Sequence, residues 1–366
     1  MKSVRKHKLL KNSQTFDKKL LFLTLVLTLV GLVALTDASA PLAQKNFSDK
    51  FFFVKQQLIW AFFGICLFFI VSRLNYKIWE KTASLLFFAS LLGLLLVFIP
   101  NIGERFLGAR RWVSLGPLTF QPSEFVKLTL ALYIAKLSTR DKKYLAYLLP
   151  IILSSFLIML QPDLGTTIVI VGMAMVQIFV AGVPLAFFAL TLLVGVILGS
   201  ILIMFSDYRK DRLLTFFERS RDPLDKSYHI RQILIALGSG GLFGVGLGHS
   251  RQKYLFLPET ATDSIFAVIS EEVGFLGAAL LILAFVFFII RGIYIAKRAP
   301  DKFSRILAIG IVSWIGGQAF LNISSMVALV PLTGIPLPFF SYGGSSLVTI
   351  LIACGILLNI SSYAKD

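Results

Sequence analysis

The chain has 366 residues, 57% of them hydrophobic and only 15% charged, with 34 phenylalanines and a formal net charge of +17. A water-soluble domain of this length needs far more charge to cover its surface, so a soluble globular fold is excluded. The charges cluster in short stretches between continuous apolar runs, which favours membrane-spanning helices over an outward-facing β-barrel.

Hydropathy predicts an all-α polytopic membrane protein with about ten transmembrane helices, at 20–38, 52–72, 83–99, 122–137, 144–160, 165–181, 185–205, 264–290, 304–330 and 344–362. The organisation expected is a basic tail at 1–19, one membrane domain at 20–362 and a short end at 363–366. The first apolar run follows a basic head, as a signal peptide does. It lacks a clean small-residue cleavage site and is long enough to span, so it reads as a retained helix.

Lys and Arg set the orientation. The tail carries Lys2, Arg5, Lys6, Lys8, Lys11, Lys18 and Lys19. Loops with Arg73/Lys77/Lys81, Arg140/Lys142/Lys143 and Lys297/Arg298/Lys302/Arg305 fall on the same side. Both termini are therefore expected in the cytoplasm. The positive charge is mostly this topological signal, and with no basic folded domain a nucleic-acid partner is not expected.

Cys66 and Cys354 fall within spans, so no disulfide framework is indicated. His7, His229 and His249 are scattered without metal-ligand spacing. No P-loop or dinucleotide fingerprint is present, which leaves ATP-driven and redox chemistry unsupported.

One connection, about 206–262, is far longer than its helices need, and long ordered loops tend to be functional. It is placed outside the cytoplasm. Its first half is rich in mixed charge, with Arg209, Lys210, Arg212, Glu218, Arg219, Arg221, Asp222, Asp225 and Lys226. It then turns glycine-rich from Gly238 to Gly248, followed by Arg251 and Lys253. Glycine lets backbone approach a ligand closely, and N–H groups beside cations suit phosphate. Packing of a re-entrant loop on the bundle is the alternative.

The loop ends in Leu257-Pro-Glu-Thr-Ala-Thr-Asp263-Ser-Ile-Phe at the start of a helix. Two roles stand open for Asp263: an N-cap, or a general base at the membrane–water boundary. Glu271 and Glu272 follow one to two turns into the span, where acidic residues are costly unless paired or functional.

Four further polar clusters punctuate the apolar runs. Arg110 and Arg111 beside Trp112 form an interfacial cationic spot suited to a lipid head group. Just beyond them, Glu124 and Lys127 share a helix face and can pair. Gln161-Pro-Asp163-Leu-Gly165 is a helix-breaking turn with a carboxylate. Gln318 and Asn322 lie at i and i+4 in the ninth span, and Pro331–Ser346 is a rigid polar loop containing Ser341, Tyr342 and Ser345. Each alone could be packing glue. Apart from the depth of the Glu124–Lys127 pair, all map to the outer half of the membrane, which favours one polar cavity opening outward.

The segments Gly238–Gly248, Leu257–Phe275, Gln121–Lys127, Gln161–Gly165 and Gly334–Ser346 resemble the signature blocks of the SEDS family (shape, elongation, division and sporulation). The resemblance covers essentially the whole chain, in order, and Gly334-Ile-Pro-Leu-Pro-Phe-Phe-Ser-Tyr-Gly-Gly-Ser-Ser346 is its most specific part. Gly244-Val-Gly-Leu-Gly-His-Ser-Arg-Gln-Lys253 is closer to the division branch than to the elongation branch.

That resemblance implies a peptidoglycan glycosyltransferase of the bacterial cytoplasmic (inner) membrane. It would polymerise lipid II at the outer face, with lipid II and undecaprenyl-linked glycan as ligands. A class B penicillin-binding protein would supply the transpeptidase, alongside other divisome or elongasome proteins and membrane lipid. The family's catalytic aspartate carries onto Asp263. Members commonly read His-Thr-Asp-Phe there, where this chain has Ala261-Thr-Asp263-Ser264. The implied reaction forms a β-1,4 bond as a sugar 4-hydroxyl attacks an anomeric carbon and undecaprenyl diphosphate leaves. Asp263 would take the proton, and loop cations such as Arg251 and Lys253, Arg110/Arg111, or a divalent cation (Mg or Mn) would help the leaving group. Glu124, Lys127 and Asp163 would shape the cavity, with Gln318, Asn322, Ser341, Tyr342 and Ser345 as further substrate-binding candidates. A lipid II flippase and a non-enzymatic divisome scaffold are the rival expectations.

Overall fold

Runs of Leu, Ile, Val and Phe leave a backbone in lipid no hydrogen-bond partner but itself, and helices meet that demand. In the computed structural model, which describes residues 16–100, 102–106, 109–115, 118–140, 144–204, 216, 228–254 and 256–364, seven helices come first. They are α1 (Lys18–Phe47), α2 (Phe52–Arg73), α3 (Lys77–Leu96), α4 (Pro122–Ser138), α5 (Leu145–Leu160), α6 (Leu164–Val180) and α7 (Leu185–Met204). Within the long loop lies α8 (Tyr228–Ser239), and beyond the loop follow α9 (Ile265–Lys297), α10 (Lys302–Met326) and α11 (Gly344–Ser362). The tail cations before residue 16, Lys142, Lys143 and the loop charges from Arg209 to Lys226 lie outside the described residues.

Among the described residues, six helices are long and apolar enough to cross a membrane: α1, α2, α3, α9, α10 and α11. Shorter apolar helices run at Leu145–Leu160, Leu164–Val180 and Leu185–Ile197. With α4, these account for the ten spans expected, and the chain is a multi-pass membrane protein. The centre is built from α4, α10 and α11, whose side chains are mostly buried. The rim helices turn apolar side chains outward, as lipid-facing helices do; Phe62, Leu85, Leu149 and Leu280 are exposed. Close helix approach needs small residues, and at Gly355 of α11 an added Cβ would lie 2.7 Å from the Phe68 carbonyl of α2.

Three features depart from the expected outline. The first span was expected to stop at 38, but α1 continues through Pro41 to Phe47. Its Asp37, which is only partly buried, pairs with the buried Lys253. Between α3 and α4 lies a three-stranded antiparallel meander, an element absent from the all-helical expectation: β1 (Gly103–Phe106), β2 (Ala109–Leu115) and β3 (Leu118–Phe120). Glu104 pairs with Trp112 and Val113 with Phe120 in its register. Finally, α9 is broken at Gly274, where φ is 68° and ψ is −171°. The part beyond the break, Phe275 to Lys297, is about 35 Å long at 1.5 Å per residue and suffices to span on its own. The part before it, Ile265 to Glu272, is almost wholly buried and belongs to the site end of the bundle.

Candidate active site

The turn that carries Asp263 is held at three consecutive backbone carbonyls. Ala261 O accepts from the Tyr342 N–H at 2.8 Å, Thr262 O from the Ser341 hydroxyl at 2.6 Å, and Asp263 O from Asn322 Nδ2 at 2.9 Å. Two of these donors come from the loop after α10 and the third from α10 itself. The Asn322 amide also donates to Ile335 O at 2.8 Å, which joins that loop to the same helix. Ser341 Oγ in turn accepts from the Leu337 N–H at 2.7 Å. Asp263 is half-buried. The N-cap position of α9 falls one residue later, on Ser264, which makes no side-chain capping bond. Within the turn, the Thr262 hydroxyl donates to Glu259 Oε2 at 2.6 Å.

One turn along α10 from Asn322, Gln318 gathers the second set of groups. Lys127 Nζ lies 2.7 Å from Gln318 Oε1 and 2.8 Å from Glu124 Oε1, with both ionic side chains almost completely buried. Trp314 Nε1 donates to the same Gln318 oxygen at 2.9 Å, and Gln318 Nε2 donates to Pro336 O at 2.9 Å. Pro122 opens α4 at its first turn, where a missing N–H costs nothing, and this sets Glu124 and Lys127 on the inner face. Gln121, just before α4, receives Ser345 as the partner of its N–H at 3.1 Å.

Other expected residues turn out to hold the scaffold around these groups. Asp163 caps α6, accepting from Thr166 N at 3.0 Å and Thr166 Oγ1 at 2.9 Å. Arg111 of β2 donates to Gln161 O at 3.1 Å and Pro162 O at 2.5 Å, which clamps the α5–α6 turn to the meander. Its neighbour Arg110 is half-buried and its Nε has no partner among the described residues. Glu124 Oε2 and Asn322 Oδ1 are likewise buried without a partner. Tyr342 donates from its hydroxyl to Gln56 Oε1 at 2.7 Å, and burial pushes its phenol up, so it stays neutral.

Gly238–Gly248 and the two cations after it form a distinct cluster. An added Cβ at Gly244 would collide with the Glu272 carbonyl, and one at Gly240 with the Ser270 carbonyl. The loop backbone donates to the open carbonyls at the break in α9, from Val245 N to Glu271 O and from Gly246 N to Glu272 O, both at 3.0 Å. In these contacts the glycines meet the broken helix, which is the packing role left open by the sequence. Glu271 accepts from the Ser250 hydroxyl and from the Arg251 and Gln252 N–H groups, so its buried charge is well satisfied. Lys253 Nζ binds Asp37 Oδ1 at 2.7 Å and Glu272 Oε1 at 2.7 Å. Burial alone would lower the Lys253 ammonium, but these two carboxylates outweigh it and hold it above the usual lysine range. Arg251 is exposed.

Sequence reasoning missed Asp37, although a lone acid in an apolar run is a recognisable sign of a buried pair. It also passed over His229, whose Nε2 lies 2.8 Å from Ser264 Oγ; nothing in a solitary histidine announced that contact. Among the described residues, no group of three His, Cys, Asp or Glu side chains is arranged to hold a metal ion.

A family model described as cell cycle protein, FtsW/RodA/SpoVE, matches residues 18–366. Stage V sporulation protein E of Bacillus subtilis is 43% identical over 357 residues, covering 95% of this chain and 98% of that protein. A probable peptidoglycan glycosyltransferase FtsW of Geobacter metallireducens is 36% identical, covering 97% of both. Among solved structures, a peptidoglycan synthase complex, described for its coordination of polymerisation and crosslinking, contains a chain that superposes with a TM-score of 0.78 at 29% identity. The match covers 96% of this chain and 99% of that one. The rod shape determining protein RodA of Thermus thermophilus superposes with a TM-score of 0.71 at 29% identity, covering 96% and 98%.

Proposed function

The chain belongs to the FtsW/RodA/SpoVE family of cell cycle proteins, and from that premise we propose that Asp263 is the general base of its glycosyl transfer. The protein is a peptidoglycan glycosyltransferase that polymerises lipid II. The observation that carries the role of Asp263 is the triple pinning of the carbonyls of Ala261, Thr262 and Asp263. A base works when it is held in reach of the proton it abstracts, and a turn fixed at every carbonyl is the backbone form of that preorganisation.

In the step itself, the 4-hydroxyl oxygen of one lipid-linked disaccharide bonds to the anomeric carbon of another. The bond from that carbon to the diphosphate oxygen breaks, and the hydroxyl proton passes to the Asp263 carboxylate. Undecaprenyl diphosphate departs with the electron pair. Arg110, whose Nε has no partner among the described residues, answers the charge on the leaving group in this reading. Buried orphan acceptors usually have a ligand or water to satisfy them, and Glu124 Oε2 and Asn322 Oδ1 are suited to sugar hydroxyls. Lys127 and Gln318 hold that wall, Asp163 and Arg111 brace the turn beside it, and Ser341, Tyr342 and Ser345 fix the loop above. Lys253, bound by two carboxylates, acts in this reading as a strut, and exposed Arg251 meets the diphosphate or the head group of a neighbouring lipid.

The membrane is the bacterial cytoplasmic one, with both termini inside, the tail and single membrane domain as outlined above, and the Asp263 end outside. The partner is a class B penicillin-binding protein within the division or elongation machinery. The test uses vesicles with lipid II on one face and purified full-length protein. The account expects glycan strands and released undecaprenyl diphosphate. Movement of lipid II between leaflets without strand formation would instead establish a transporter.

A further inference from the structure

Helix α8 reaches the residue after Asp263 through His229, whereas the three donors to the carbonyls of the turn come from α10 and the loop after it. The α8 helix buries Ile230, Ile233 and Ala236, a one-faced spacing, along the first part of α9. A polar contact ties each end: His229 Nε2 with Ser264 Oγ at 2.8 Å, and Ser239 Oγ donating to Glu271 Oε1 at 3.3 Å.

The first of these contacts is not default helix chemistry. A serine at an N-cap ordinarily turns its hydroxyl toward a free N–H of the first turn. Ser264 occupies that position, is completely buried, and makes no capping bond; its hydroxyl meets His229 instead. The Ser264 hydroxyl thus faces α8 rather than a first-turn N–H, one residue beyond Asp263. The backbone before Ser264 is fixed from α10 and the loop after it, while the Ser264 side chain is fixed from α8.

We propose that His229 is a positioning residue for glycosyl transfer, acting through Ser264 to fix the direction in which the Asp263 carboxylate leaves the turn. The proposal rests on the reading of Asp263 as the base. It makes α8, and with it the second half of the long loop, a working part of the active site. It also gives a role to one of the two positions at which this sequence leaves the His-Thr-Asp-Phe pattern. A phenylalanine at 264 offers no hydroxyl, so the tether belongs to the serine found here.

The experiment measures lipid II polymerisation by reconstituted full-length protein, over a range of lipid II concentrations, for His229→Ala, His229→Gln, Ser264→Ala, the His229→Ala/Ser264→Ala pair and Asp263→Asn. The expected result is a fall in kcat of about tenfold to a hundredfold for His229→Ala and for Ser264→Ala, with KM unchanged. The double variant is no slower than the slower single one, because both remove the same bond. His229→Gln, which keeps a hydrogen-bonding atom at similar reach, recovers most of the rate. Wild-type kcat in His229→Ala, multiplying losses in the double variant, an effect on KM alone, or no recovery with Gln would each overturn the tether. Should His229→Ala fail to fold, Ser264→Ala and His229→Gln carry the comparison. An Asp263→Asn variant as active as wild type overturns the base itself, and is thereby distinguished from failure of the tether with Asp263→Asn inactive.

Discussion

Asn322 on α10 spends both N–H groups of its amide on backbone carbonyls, that of Asp263 at 2.9 Å and that of Ile335 at 2.8 Å. A single side chain thus sets the distance between the Asp263 turn and the loop beyond α10. Replacing it with Leu, which keeps the volume, strands two carbonyls in the interior. Leaving such groups unsatisfied costs about 1–3 kcal/mol. Asn322→Leu should lower the melting temperature in detergent and reduce polymerisation further than that loss of stability explains. Melting curves read alongside activity at a temperature where the variant remains folded check this.

The Glu124–Lys127 pair lies in the core of the bundle, with side-chain exposures of 2% and 1%. Breaking a buried pair from one side is costly because it leaves a lone charge, roughly 3–5 kcal/mol. Lys127→Met should therefore destabilise more than the double change Glu124→Gln/Lys127→Met. If the pair also binds substrate, the double variant refolds without regaining activity. Comparing melting temperature and rate for the two variants separates structural from functional dependence.

Much of this arrangement was readable beforehand, for physical reasons that also mark its limit. Spans announce themselves because a bilayer demands long apolar runs, and α4 and α11 begin and end within a residue of expectation. Buried Glu271 and Glu272 drew attention through their cost, and their partners are indeed present. The break at Gly274 was hidden, because Ile265–Val268 and the run from Phe275 are equally apolar; a distant glycine segment supplies the carbonyls' partners. The meander was hidden too, since β2 is only seven residues and its Arg110-Arg111-Trp112 reads as an interfacial spot. The pinning of Asp263 escapes any sequence reading, because its acceptors are backbone carbonyls that every residue possesses.

The glycine segment gives a third test. Gly244 has φ of +82° and faces the Glu272 carbonyl, whereas Gly241 has φ of +53° with nothing within 4 Å of an added Cβ. Gly241→Ala should cost about 1–2 kcal/mol, the price of a left-handed backbone alone. Gly244→Ala adds a steric collision and should cost more, loosening the loop from the break in α9. Protease susceptibility near residue 244, together with melting temperature, checks the order of the two.

At the opposite end of the bundle, Asp301 caps α10 and accepts from the Tyr76 hydroxyl at 2.7 Å. Burial by itself would raise its carboxyl, but the bonds from Tyr76 and Ser304 and the nearby Lys77 charge prevail and hold it below the usual carboxylate range. A depressed folded pKa means that the stabilisation is present above the unfolded value, about 3.9, and is lost as pH falls through the folded one. Thermal stability should accordingly decline below about pH 4. Asp301→Asn, which keeps a cap but no charge, should show a shallower decline between pH 5 and 3 on the same scan.

The most direct test of the account is polymerisation of purified lipid II by wild type and by Asp263→Asn at matched thermal stability. Asparagine preserves size and hydrogen bonding while removing the base. The account predicts glycan strands from wild type and none from the variant; equal strand formation by both would contradict it and place the base elsewhere.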